Sequence, residues 1–155
     1  MRKYYLAYGS NLDVNQMLQR CPGAIRIGAA DLEDYRITFR GRFRDASRGG
    51  VANIEPRKGS RVPVGIWSVT ESDERALDRY EGFPWLYAKV SLSVTLPTTG
   101  TITAMAYVTV GGRPWSQPTP YYLGVIKQGY RDFGFSNRKL LYAARARLKE
   151  VSPDA

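Results

Sequence analysis

The sequence predicts an α+β domain, a small mixed β-barrel flanked by helices, and three observations carry that prediction. Hydrophobic periodicities run in the order strand, helix, several strands, short helix, hairpin, then helices, without the regular strand–helix alternation of a parallel α/β sheet. The strands are too many and too evenly spaced for a flat sheet with both edges exposed, so partial closure is expected. The 155 residues, 43% hydrophobic and 24% charged, are enough to bury one core without disulfides. The expected organisation is one domain over residues 1–150 and a short C-terminal tail at 151–155.

Residues 3 to 8 read as a buried strand. From Asp13 the period changes. Val14, Met17, Leu18 and Cys21 fall on one helical face, with Asp13 as cap, Gln16 as its capping-box partner and "CPG" as the stop. Residues 25 to 40 read as one or two strands, including the alternating "YRITF". "VANIEP" and "VPVGIWSV" follow as further strands, with the basic "RKGSR" expected to turn between them. "TESDERALDRYEG" is a short helix: Thr70 and Asp73 have capping-box spacing, Ala76 and Leu77 give an apolar face, and Gly82 suits the end. "LYAKVSLSVTL" and "TITAMAYVTV" alternate around "PTTG" as a hairpin, with Leu86 to Leu96 and Ile102 to Val110 as the apolar faces. After the loop "GGRPWSQPTP" come two helices, over 119–132 and 137–149, the second capped by Ser136 or Asn137.

The bulk numbers also exclude chemistry. The chain has no histidine and one cysteine. Ser-His, Cys-His and zinc-histidine mechanisms are therefore ruled out, and a structural zinc site is not expected. The carboxylates lack calcium-loop spacing, so no metal is expected. A proton carrier would be a carboxylate, Lys or Tyr. The single Cys21 fits a reducing compartment. No apolar stretch approaches bilayer length or a secretory signal, so a cytoplasmic location is expected and no membrane partner. The formal charge of +9, with a pI near 9.8, suits anionic partners. The densest cluster is "RGRFRDASR", with Arg40, Arg42, Arg44 and Arg48. It reads as a solvated basic loop or, less often, as a phosphate-contacting arm for nucleic acid. The oligomeric state is not readable.

Three segments can carry chemistry. In "YLAYGSNL", Gly9-Ser10-Asn11 joins a buried strand to a helix. Gly permits close approach or positive φ, Ser and Asn supply hydroxyl and amide groups, and consecutive N–H groups suit a carboxylate. Read alone, such a turn is more often a connection than a site. In "LDRYEGFPWLY", Glu81 follows a helix and is bracketed by Tyr80, Phe83, Trp85 and Tyr87. Loss of hydration there would raise its pKa toward a value useful in acid–base work. The competing reading is an exposed Glu paired with Arg79 or Lys89. In "PTPYY" and at Tyr107, tyrosines either pack a loop on the core or turn their hydroxyls into a pocket.

Taken together, these pieces resemble the γ-glutamylcyclotransferase family, including its AIG2-like members. "YGSNL" at 8–12 is similar to the family's signature loop. "LEDYRITF" and "GVANIEP" resemble its early strands, and "GIWSV" leads to "LDRYEGFPWLY". "AYV" at 106–108 and "PTPYY" at 118–122 match later segments. The resemblance covers residues 4 to 132 in order. It implies a compact barrel-containing fold and cofactor-independent cyclisation of a γ-glutamyl amide, in which the substrate's α-amine attacks its own γ-carbonyl and 5-oxoproline leaves with an amine or amino acid. It further implies Glu81 as general acid–base. Tyr8, Gly9, Ser10, Asn11 and Leu12 would hold the γ-glutamyl group, and Tyr87, Tyr107 and Tyr122 would shape the pocket, with Tyr121 a close substitute for Tyr122. Two other readings stand beside it. One is an enzyme that unloads a γ-glutamyl group from a larger carrier. The other is a non-catalytic small-ligand module whose basic face contacts nucleic acid.

Overall fold

A computed structural model of the chain describes residues 1–41 and 49–145. In chain order the elements are β1 (Lys3–Ala7), a 3₁₀ turn (Ser10–Leu12), α1 (Val14–Arg20), β2 (Ile25–Gly41), β3 (Gly50–Val69), α2 (Glu71–Glu81), β4 (Tyr87–Leu96), β5 (Gly100–Thr109), α3 (Pro120–Phe133) and α4 (Arg138–Arg145). The strands form one mixed sheet in the order β2-β3-β1-β5-β4. β1 lies at its centre, antiparallel to β3 from Lys3–Val69 to Ala7–Gly65 and parallel to β5 at Tyr5–Met105. The sheet curls until its outer strands meet: a Cβ built on Gly28 of β2 would lie 3.6 Å from Leu96 of β4. Side-chain contact between β2 and β4 thus covers edges that an open sheet would expose.

The caps form as their residue types require. Asp13 accepts the Gln16 N–H at 3.1 Å and starts α1. Thr70 and Asp73 exchange two hydrogen bonds, each 3.0 Å, in a complete capping box for α2. The buried Asp73 also accepts the Gly23 N–H at 3.2 Å, tying the end of α1 to the start of α2. Thr119 caps α3 with Pro120 in its first turn. α4 ends the described chain at Arg145, so residues 146–149 of the expected last helix lie outside it.

Two expectations are corrected. "RKGSR" is no turn between two strands but an excursion within β3. Tyr35 faces Pro56 while Glu33 faces Arg61, and Asp34, at φ 63°, accepts the Gly59 N–H at 3.0 Å. This is a local bulge that bends the long β2–β3 hairpin. Arg40 is not in a loop but in β2, opposite Val51; Arg42, Arg44 and Arg48 lie outside the described residues. The β4–β5 hairpin forms around "PTTG". The end of its polar face beside α2 is covered, with Tyr87 and Tyr107 buried, while Ser91, Ser93 and Thr95 stay exposed. Asp78 and Glu74 of that helix bond Lys89 at 2.9 and 2.7 Å.

Candidate active site

The site begins where β1 ends. After Ala7 the chain turns through Gly9 into the 3₁₀ turn, closed by bonds from Leu12 N–H to Gly9 and Asp13 N–H to Ser10 at 3.0 and 3.1 Å. Those bonds use neither the Ser10 nor the Asn11 N–H. Leu12, fully buried, pegs the turn in place between two glycines. A Cβ on Gly129 of α3 would stand 2.5 Å from Leu12, and one on Gly65 of β3 would stand 2.8 Å from it. Only glycine lets α3 and β3 close on that side chain. Gly9 has a different constraint. Its φ is −127°, so space rather than a left-handed backbone is what it provides: a Cβ there would lie 3.2 Å from Ala52.

α2 delivers the carboxylate. Its last residue is Glu81, and Gly82 follows in the left-handed conformation at φ 68°. Gly82 N–H reaches Arg79 at 3.3 Å and Phe83 N–H reaches Asp78 at 2.9 Å, the paired bonds of a Schellman end. The helix is fixed laterally as well. Asp78 accepts the Tyr107 hydroxyl at 2.6 Å, and Glu74 bridges Lys89 and Lys3 at 2.7 and 2.9 Å. Burial opposes the Lys89 charge, but the bonds from Glu74 and Asp78 outweigh it and raise its pKa. Lys89, one of the two cations proposed to neutralise Glu81, is thus engaged one and two turns earlier on the helix.

These elements border a single cavity that opens to solvent. Tyr8, Gly9, Ser10 and Asn11 line it from the loop, Glu81 from α2, and Tyr87, Tyr107 and Tyr122 from β4, β5 and α3. Tyr121, by contrast, is 78% exposed, so the helical phase set by the Thr119 cap selects Tyr122. The Leu12 side chain does not line the cavity; it anchors the loop that does. Tyr5 and Ala52 line it too, and sequence reasoning did not single them out. A tyrosine inside a buried strand reads as core, and nothing local marks it otherwise.

The tyrosine hydroxyls order the wall. Tyr8 donates to the Tyr107 carbonyl and Tyr87 to the Ala52 carbonyl, both at 2.6 Å. Tyr122 accepts the Ala52 N–H at 3.0 Å. Ser10 and Tyr80 hydroxyls meet at 2.9 Å, joining the loop to the residue before Glu81. Burial raises the pKa of Tyr5, Tyr8, Tyr87 and Tyr107 well above the ordinary phenol, and the charge of Glu81 adds to each. All four stay protonated at physiological pH and can act only as neutral groups. Among the lining residues Glu81 is the one carboxylate. Among the described residues no cluster of His, Cys, Asp and Glu could hold a metal ion, and no helix is long and apolar enough to cross a membrane.

Comparison with known proteins places this geometry. A family model described as "Gamma-glutamyl cyclotransferase, AIG2-like" matches residues 5–125. The chain is 27% identical over 154 residues to the Mus musculus gamma-glutamylcyclotransferase, covering 97% of this chain and 79% of that protein. It is 29% identical over 134 residues to the Bos taurus gamma-glutamylcyclotransferase, with 84% and 71% covered. Among solved structures, one described as a gamma-glutamyl cyclotransferase superposes with a TM-score of 0.78 at 26% identity, over 92% of this chain and 85% of that one.

Proposed function

The chain belongs to the gamma-glutamyl cyclotransferase, AIG2-like family, and from that membership we propose that it is an enzyme that cyclises a small γ-glutamyl amide. The substrate's α-amine bonds to its own γ-carbonyl carbon, the amide C–N bond breaks, and 5-oxoproline leaves together with an amine or amino acid. Nucleophile and electrophile sit on one molecule, so no enzymic nucleophile is required. Holding the folded conformer supplies the proximity.

In this reading Glu81 takes a proton from the α-ammonium, freeing the lone pair that attacks. It then delivers a proton to the departing nitrogen. The Ser10 and Asn11 N–H groups, left over by the bonds of the turn, hold the α-carboxylate. Tyr87, Tyr107 and Tyr122 set the walls, and their own bonds to Ala52 and Asp78 hold them still. The observation that carries the proposal is that the Gly9–Asn11 loop and Glu81, distant in sequence, line one cavity. The nucleic-acid reading loses one of its four arginines, since Arg40 forms hydrogen bonds of 2.7 and 2.8 Å with Glu55.

The test is a panel of γ-glutamyl amines and dipeptides assayed for 5-oxoproline. Release from at least one member, lost in Glu81→Gln, is the expected result. No release from any member, or undiminished release by Glu81→Gln, would sink the proposal.

A further inference from the structure

The Tyr5 hydroxyl stands apart from the other tyrosines of the cavity. Those of Tyr8, Tyr87 and Tyr107 each donate their proton to a protein oxygen at 2.6 Å. Tyr5 instead accepts: the Asn11 side-chain Nδ2 donates to its oxygen at 2.9 Å. Resting on the cyclotransferase reading, we propose that Tyr5 donates a hydrogen bond to an acceptor oxygen of the bound γ-glutamyl group. Its direction is set by Arg20, acting through the Asn11 amide.

Donor and acceptor identity set the direction of the Tyr5 proton. The two ends of an Asn amide are nearly the same shape, and its orientation follows from its partners. Arg20 settles it. A guanidinium has donors only, and the Arg20 side chain bonds Asn11 Oδ1. The carbonyl end therefore faces Arg20 and the NH₂ end faces Tyr5. A phenol oxygen that receives an N–H directs its own proton elsewhere, and the space bordering Tyr5 is the cavity it shares with Glu81. Burial and the Glu81 charge keep that proton on the oxygen.

Arg20 is itself held from a second side. Its guanidinium stacks 3.4 Å from the centroid of the Tyr80 ring, and the Tyr80 hydroxyl bonds Ser10. The Asn11 backbone is fixed by the Trp67 indole N–H, which donates to its carbonyl at 3.1 Å. Asn11 thus relays polarity from α1 to the cavity, and Arg20 is a positioning residue rather than a catalytic one.

Tyr5→Phe removes the proton and keeps the ring. With the γ-glutamyl compound that wild type turns over fastest, its kcat/KM should fall by about 10- to 100-fold, the range for losing one directed donor. Asn11→Asp reverses the relay: an acceptor-only side chain keeps the Arg20 contact but draws the Tyr5 proton away from the cavity. Its kcat/KM should fall, and adding Tyr5→Phe to it should cost little more. Arg20→Lys, still donor-only, should retain more activity than Arg20→Met. Thermal melting of each variant checks that it is folded. A folded Tyr5→Phe with wild-type kcat/KM overturns the assignment, as does a double variant whose losses multiply. Wild type releasing no 5-oxoproline from any compound would instead defeat the underlying reading, and this assignment with it.

Discussion

Two half-buried glutamates, Glu55 and Glu81, stand in opposite surroundings. Glu55 on β3 is saturated. Arg40 donates to both its oxygens at 2.7 and 2.8 Å, Thr38 at 2.7 Å and Asn53 at 3.1 Å. Burial alone would raise its pKa, but the bonds from Arg40 and Thr38 outweigh that and hold it below the usual carboxylate range. Such a carboxylate stays ionised and acts as a strut between β2 and β3. Glu81 lines a solvent-reachable cavity whose other lining residues are all uncharged. The first environment removes proton exchange from the repertoire, and the second leaves room for it. Glu55 and Glu81 thus differ in the side chains brought to them, not in residue type or burial.

The comparison can be broken from either side. Short of removing the Glu81 carboxylate itself, the largest expected effect is on the chemical side. Gly9→Val places a Cβ 3.2 Å from Ala52 and pushes the loop off its place opposite Glu81. An ångström of misplacement costs about 10²-fold in rate, so kcat/KM for 5-oxoproline release should fall by that order while Glu81 remains. On the structural side, Arg40→Met leaves Glu55 with a half-buried charge and lost bonds. Denaturant unfolding should show a loss of about 2 kcal/mol, with the rate per folded molecule unchanged. The smallest effect is in acid. Burial works against Glu74 as it does against Glu55, but bonds from Lys89 and Lys3 hold its pKa low too. A pKa depressed in the folded state contributes stability above the unfolded value, about 4.3 for Glu, and loses it as pH falls through the folded value. Melting temperature should thus drop as pH falls below about 4.3, and more shallowly in Arg40→Met, where Glu55 has lost its chief partner.

Much of this was legible in the chain. Thr70, Asp73 and Gly82 bound α2 by capping chemistry alone, which fixes Glu81 as the last helical residue. The β4–β5 hairpin follows from alternation and the short turn at Pro97–Thr99. What escaped is what depends on the curl of the sheet. "RKGSR" has turn composition, yet it bulges within β3 because Asp34 on the facing strand supplies the acceptor. Leu12 sits in the loop after β1, but its role as a peg needs Gly65 and Gly129 brought to it from two other elements. Tyr5 and Ala52 enter the cavity wall only once β1, β3 and α2 converge, and the polarity of Tyr5 depends on an arginine at the far end of α1.

The claim that the two glutamates do different work is tested by making the same substitution in each. Glu81→Gln and Glu55→Gln are measured side by side for 5-oxoproline release and for thermal melting. The account predicts that Glu81→Gln loses about 10²- to 10⁴-fold in rate at nearly unchanged melting temperature, while Glu55→Gln melts lower and keeps its rate. A folded Glu81→Gln that turns over like wild type, or a folded Glu55→Gln that loses as much rate as Glu81→Gln, would contradict it.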